Sequence, residues 1–350
     1  MVRFGSIICG LSPSASVMQG VSAEKFGFDS VWVPDHLTDI DGCKVDPWTV
    51  LAAIGVQTRK VFLCPGVTDI LRCHPAKTAQ IVSTLDELSG GRAGLGIGAG
   101  EGMNIIPFGM AWEKASVRIQ RLKEALEVAK LLWSSSKDNL VNYQGEHYRL
   151  DRACLDQAPT QTPHPPIYIG ALGSPRALRL VGELGNGWLS WISTPELFEK
   201  RLSIVHEWAG KVGRTAKEID AVAWLYVALS DDTKVIERAM NIGKALLVTE
   251  RGVLTSTENK APPSAMSAQE ILASRENLSK VTELARDVPD KIVNDSIAVG
   301  NADRCIELID RFIRSGATHV AIRDLATNSE KGLKVIAEEV IPYFKEGSRR

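Results

Sequence analysis

Asp35 and His36 stand side by side at the end of an apolar run and a proline break, in "SVWVPDHLTDIDG" (30–42). A carboxylate and an imidazole at a strand tip suit proton chemistry, because an imidazole titrates near neutral pH and an adjacent acid can orient it. The pair equally suits a hydrogen-bonded turn, since acids at such corners cap the following backbone. Glu101, in "GAGEGMN" (98–104), is a second acid behind a glycine-rich run. Its plain reading is a cap on a short helix over 102–107. In "GALGSPR" (170–176), Ser174 precedes Pro175. That order predicts a helix start, with Ser174 as N-cap and proline at the first helical position. The N–H groups and positive dipole end there form an anion site, and Arg176 and Arg179 add charge one turn in.

Strand and helix patterns alternate along the chain that must position these residues. Strands are predicted at 4–9, 30–34, 61–67, 93–98, 166–171, 187–191, 219–229 and 319–323. Helices are predicted at 12–27, 46–58, 74–89, 114–133, 174–185, 195–212 and 301–315. In the last of these, Cys305, Ile306, Leu308, Ile309, Phe312 and Ile313 follow helical spacing, and Gly316 makes a natural stop. Eight strands, mostly apolar on both faces and each followed by a helix, predict a (β/α)8 TIM barrel. A barrel needs roughly 250 residues, so insertions are expected, and 134–165 and 231–297 supply them within a single domain over 1–350. The first insertion is hairpin-like. The second is helical in pattern, with "ENKAPPSAMS" as a mobile stretch.

An open doubly wound sheet is the structural rival, because "GLGIGA" (94–99) matches the dinucleotide fingerprint G-x-G-x-x-A. Its glycines lie inside a strand pattern, however, and the next helix starts only near Ala115. Close approach of the backbone to a flat ligand is the better use of them, with packing in a tight barrel wall as the bland alternative.

Of 350 residues, 44% are hydrophobic and 24% charged, with a net charge of −1. No Lys/Arg block exceeds two residues, which argues against nucleic acid and membrane surfaces as partners. No apolar stretch approaches the roughly 20 residues of a membrane helix. Six cysteines form no Cys-x-x-Cys pair and no Cys/His cluster, so no metal site is expected. Cys9 and Cys64 read as small core residues, and reduced thiols in a cytoplasm are the simplest account. His74 before Pro75 reads as a helix entry, His147 as structural, and Trp48, Trp112, Trp188 and Trp191 as core.

In a barrel the site gathers at the C-terminal ends of the strands. There the sequence resembles the bacterial-luciferase-like superfamily, in its branch that uses the deazaflavin coenzyme F420. It is similar to methylenetetrahydromethanopterin reductases and phthiodiolone-type ketoreductases. The resemblance rests on "WVPDH" (32–36), "DPWTVL" (46–51), "CPGVTDILRCHPAKTAQIVSTLDELSGGRAGLGIGAGEGMNIIPFGMAW" (64–112), "PIYIGALGSPRALRLVGELGNGW" (166–188) and "VGNADRCIELIDRFIRSGATHV" (299–320).

The resemblance implies a hydride-transferring oxidoreductase with F420 as cofactor, most like a methylenetetrahydromethanopterin reductase; the alternatives are an F420-dependent ketone or secondary-alcohol oxidoreductase, or a luciferase-like monooxygenase with FMN as cofactor. It implies that Asp35 and His36 face the reactive carbon and that Gly66–Val67 is a non-proline cis bulge behind the ring. By the same likeness, Gly98, Gly100, Glu101 and Asn104 approach the ring's polar edge. Ala171, Leu172, Gly173 and Ser174 would hold the coenzyme phosphate, with Arg72, Lys77 and Arg323 as candidate basic residues at the mouth. With a ketone or alcohol as substrate, His36 is the acid/base and Asp35 can hold its tautomer; with a methylene-pterin, Glu101 can stabilise the cation. The "NIIPFGMAW" loop (104–112) is expected to form an apolar substrate wall. Relatives imply a small-molecule substrate and a homodimer. "GALGSP" in place of "GAQGP" departs from the pterin reductases and leaves the substrate open.

Overall fold

Short apolar strands become parallel when each is returned by a helix, and this chain repeats that unit eight times. The computed structural model describes residues 1–38, 42, 45–256, 267 and 271–346. In it strand one is Arg3–Ile7, strand two Ser30–Val33, and strand three Phe62–Pro65 with a continuation at Thr68–Asp69. Strands four to eight are Leu95–Gly98, Ile167–Gly170, Gly187–Ser190, Asp220–Leu229 and His319–Asp324. All pairings among them are parallel, in the order 3-2-1-8-7-6-5-4. The ends meet at a Leu63–Ala93 bridge, where Leu63 N–H donates to the Arg92 carbonyl at 2.8 Å and Gly94 N–H to the Leu63 carbonyl at 2.9 Å. The sheet is therefore a (β/α)8 barrel, and the open-sheet alternative is excluded.

The helices cover the barrel with their apolar stripes, as their spacing predicts. Helix Ala302–Arg314 buries Cys305, Leu308, Ile309 and Phe312, and Gly316 follows it at φ +98°, a left-handed stop that suits glycine. The segment 134–165 carries an antiparallel hairpin, Val141–Gln144 with Arg149–Ala153. Between strands seven and eight lie helices Thr233–Thr249, Arg251–Ser256, Arg275–Ala285 and Asp290–Ser296. The stretch "ENKAPPSAMS" lies outside the described residues except for Ser267. One expectation is corrected: Cys9 is disulfide-bonded, so the six cysteines are not all reduced thiols. Strand one ends at Ile7, which leaves Cys9 in the loop beyond the strand where a cross-link can reach it. Cys64, Cys73, Cys154 and Cys305 are free. No described helix is long and apolar enough to cross a membrane.

The N-terminal end of the barrel is closed by a buried polar network around Asp220. Its carboxylate accepts from Tyr168 Oη at 3.0 Å and Thr318 Oγ1 at 2.6 Å, meets His319 Nδ1 at 3.1 Å, and pairs with Arg3. His319 Nε2 lies 2.8 Å from Ser30 Oγ, which also accepts from Trp32 Nε1 at 2.7 Å. Ser30 and His319 are fully buried, so this serine–histidine–aspartate chain holds strands together and meets no substrate. Burial alone would raise the Asp220 pKa, but the His319 and Arg3 contacts and the Thr318 hydrogen bond outweigh it and hold the carboxyl well below the usual range. A depressed folded-state pKa contributes stability above the unfolded-state value and loses it as pH falls. Asp220→Asn is expected to cost about 2–4 kcal/mol at pH 7. The gap to wild type should shrink below about pH 4, read as urea midpoints at the two pH values.

Candidate active site

The C-terminal ends of all eight strands surround one cavity of about 310 Å³. Asp35, His36, Gly66, Val67, Gly98, Gly100, Glu101, Asn104, Ala171 and Leu172 all line it. Gly173 and Ser174 lie just past the lining, where strand five gives way to helix Pro175–Leu184. Gly66–Val67 is a cis peptide, and it separates the two parts of strand three. The bulge explains the neighbouring glycines. A Cβ on Gly96 would come within 1.9 Å of the Pro65 carbonyl oxygen, and one on Gly98 or Gly170 within 3.1 Å of Val67 Cγ2. Gly94 would meet the Phe62 ring at 2.2 Å. Gly94 and Gly96 are thus packing glycines of the wall, correcting the ligand-approach reading for these two. Gly100, at φ +88°, turns the chain beside the cavity.

Asp35 and His36 belong to different networks, which corrects the idea that Asp35 sets the His36 tautomer. Arg72 Nη2 lies 3.0 Å from Asp35 Oδ2 and donates to the Asp35 carbonyl at 3.0 Å, while Arg72 Nε pairs with Asp69. Burial works against the Arg72 charge, and the Asp69 and Asp35 carboxylates outweigh it, raising the pKa. This guanidinium is committed to two carboxylates rather than to a ligand at the mouth. His36 Nδ1 instead meets Asn104 Nδ2 at 2.9 Å and Glu101 Oε2 at 3.4 Å. Glu101 stands at the N-cap of the turn Gly102–Asn104 without a side-chain cap bond, so the capping reading of this acid does not hold.

Ser174 occupies the N-cap position, yet its hydroxyl accepts no cap hydrogen bond, unlike Ser12, Asp46, Thr194 and Asn301 at theirs. The first-turn N–H groups of that helix are left for another acceptor. Below the loop, Arg201 from helix Pro195–Lys211 packs so closely that a Cβ on Gly173 would fall 2.8 Å from its Nε. Arg201 pairs with Glu250 Oε1 at 3.0 Å, both side chains being 6% exposed, and its Nη1 is buried without a hydrogen-bond partner.

Several lining residues escape a reading of the sequence. Trp224 and Tyr226 point inward from strand seven, and Trp191, read as core, lines the cavity and donates to Tyr226 Oη at 2.8 Å. Alternation along "AVAWLYVAL" puts Trp224 and Tyr226 on one face, and Trp191 lies one residue beyond strand six, so strand-end position was the available signal. Ile242, Ala245, Leu246 and Thr249 come from helix Thr233–Thr249 of the second insertion, for which no such rule exists. Arg323 lines the cavity from strand eight and is 8% exposed. Lys77 is exposed, pairs with Gln80 at 2.8 Å and is not among the lining residues. The loop 104–112 contributes Asn104 only; Ile106, Pro107 and Phe108 are exposed, so it is not the substrate wall expected of it. His74 caps the helix Pro75–Ser89, accepting from Ala76 N–H through Nδ1 at 3.2 Å. Glu124, Glu146 and His147 approach one another, but Glu124 accepts from the backbone N–H groups of 146, 147 and 148, so it closes the hairpin turn.

Comparison with known proteins gives these strand tips a family. The family described as luciferase-like monooxygenase matches residues 10–319. The chain belongs to it. An F420-dependent glucose-6-phosphate dehydrogenase of Microbacterium testaceum (strain StLB037) is 32% identical over 335 residues, covering 93% of this chain and 92% of that one. A 5,10-methylenetetrahydromethanopterin reductase of Archaeoglobus fulgidus is 31% identical over 325 residues, covering 92% and 93%. Among solved structures, an F420-dependent secondary alcohol dehydrogenase in complex with an F420-acetone adduct superposes with a TM-score of 0.80 at 24% identity, covering 97% of this chain and 98% of that chain. That likeness concerns the fold.

Proposed function

We propose that this member of the family is a coenzyme F420-dependent oxidoreductase that moves a hydride between the deazaflavin and a small carbonyl or secondary-alcohol substrate. The observation that carries the proposal is the single cavity shared by His36, Glu101, the Gly66–Val67 bulge and the strand-five loop. Relatives named for F420 that align over more than nine-tenths of both chains support the choice of coenzyme. The residues present fit such a group. Its anionic tail is served by the uncapped N-terminus of helix Pro175–Leu184 and by the buried, partly unpartnered Arg201 below Gly173. Gly66, Gly98, Gly100 and Ala171 line the cavity beside Trp224, which packs on Gly66, and Val67, which packs on Gly98.

When bound, the coenzyme supplies reversible two-electron hydride exchange. The chain does the rest. Trp191, Trp224 and the apolar face of helix Thr233–Thr249 exclude water, and His36 and Glu101 stand ready for the charge that develops on the substrate. A cavity of about 310 Å³ sits at the low end for ligand sites. That size supports a small substrate over a methylene-pterin. A homodimer acting on a small molecule, without nucleic acid or membrane, completes the proposal.

Fluorescence titration with oxidised F420 is expected to give saturable binding at micromolar or lower coenzyme, with FMN binding at least about tenfold weaker, a difference of about 1.4 kcal/mol. Preferential FMN binding would overturn the cofactor assignment. Reduction of F420 by a panel of small secondary alcohols, against methylene-pterin and glucose 6-phosphate, tests the substrate class. Activity confined to either of the latter two would overturn it.

A further inference from the structure

We infer that Asn104 is a positioning residue that fixes the neutral His36 ring in the tautomer protonated on Nε2, making it a standing hydrogen-bond donor. The inference starts from the backbone. Leu37 N–H and Thr38 N–H both point at one atom of the Asn104 amide, at 2.8 and 3.1 Å. Two N–H groups can only donate, so the atom they share must be the amide oxygen, and a flipped amide would set donors against donors. Asn104 is 2% exposed, so no water substitutes for either contact at low cost. The other end of the amide is therefore an NH₂ group, and it lies 2.9 Å from His36 Nδ1. Nδ1 must accept. In a neutral imidazole the proton then belongs to Nε2.

Glu101 competes for the same nitrogen. Its Oε2 lies 3.4 Å from the same Nδ1 and would welcome a proton there. That proton, however, would face the Asn104 NH₂ at 2.9 Å. The Glu101 carboxylate is 37% exposed and stands 3.4 Å away, whereas Asn104 is buried, closer, and held at both ends. The shorter, buried and doubly tied contact decides the tautomer. Arg72 and the two carboxylates it holds form a separate network that does not reach the His36 ring.

The consequence rests on the function proposed above. Hydride from the reduced coenzyme arriving at a carbonyl carbon would leave negative charge on the oxygen; a fixed Nε2–H stabilises that charge without any rearrangement at the moment of reaction, and a proton from solvent then completes the alcohol. His36 thus acts first as a hydrogen-bond donor to substrate oxygen, the role an iminium substrate would not use.

The test needs neither coenzyme nor substrate, so it fails or succeeds independently of the proposed function. Long-range 1H–15N correlation spectra of 15N-labelled protein report which ring nitrogen carries the proton, and His36 is assigned by its loss in His36→Gln. At a pH where the ring is neutral, the wild-type spectrum should show Nε2–H; an Nδ1–H pattern would overturn the inference outright. In Asn104→Asp one carboxylate oxygen keeps the Leu37 and Thr38 donors and the other becomes an acceptor facing Nδ1. The major tautomer is then expected to move to Nδ1–H, and an unchanged pattern in a folded variant would count against Asn104. In Asn104→Ala only the Glu101 carboxylate, at 3.4 Å, remains beside Nδ1, so Nδ1–H should appear alongside Nε2–H; retention of pure Nε2–H would also overturn the assignment.

Discussion

Replacing His36 with alanine is expected to lower kcat for F420 reduction by a small secondary alcohol about 10²–10⁴-fold, the range for losing one positioned proton-handling or hydrogen-bonding group. His36 is half-buried, lines the cavity and is held through Nδ1, so its removal deletes its contacts to Asn104 and Glu101 at the loop and touches no strand pairing. Coenzyme binding should persist, because the proposed anion site at the start of helix Pro175–Leu184 follows strand five, and among the described residues strand two pairs only with strands one and three. The diagnostic pattern is an equal fall in kcat and kcat/KM, the mark of an interaction made in the transition state. A variant with raised KM and unchanged kcat would instead place His36 in ground-state binding and remove it from the chemistry.

The second large effect concerns Arg72. Its guanidinium is the partner of Asp35 and Asp69, whose side chains are 13% and 6% exposed. Asp69 Oδ1 also accepts from Leu71 and Arg72 N–H at 2.7 and 2.9 Å, so the turn after strand three is built on this carboxylate. Arg72→Met strips the cation from two buried acids at once and is expected to cost about 3–5 kcal/mol. That loss should appear as a lower urea midpoint at unchanged slope. Adding Asp69→Asn to Arg72→Met should recover part of it, since the penalty comes from the uncompensated charge; a double variant less stable than the single would refute that cause. Because Arg72 also holds the Asp35 carbonyl, the single variant should lose activity even where it remains folded.

The barrel was legible because its signal is local and repeated. Each of the eight predicted strands has an observed counterpart, and short apolar runs between amphipathic helices admit few other folds. Site residues at strand tips were legible for the same reason, since one topological rule sends them all to one end. What escaped depends on distance in sequence. That Asn104 and not Asp35 touches His36 is a contact across 68 residues, settled by how the strand-four loop folds back over strand two. That Arg72 holds Asp35 spans 37 residues and follows from the turn after the bulge. The glycines of "AGLGIG" misled in part because a glycine required by a neighbouring carbonyl looks, in sequence, like one required by a ligand. Trp191 misled because a tryptophan near a strand is most often core, and only its place one residue past the strand end distinguishes it.

The two sides of the cavity have different origins. One is made by strand tips and the loops joining them, where Pro65, Val67, Gly96 and Gly98 are so tightly interlocked that few exchanges are tolerated. The other is a helix lodged between strands seven and eight, whose cavity-facing Ile242, Ala245 and Leu246 are joined to no strand by a ladder of hydrogen bonds. Selection can rework that second wall one side chain at a time without disturbing the first. A lineage built this way can keep one redox partner while its descendants trade one metabolite for another.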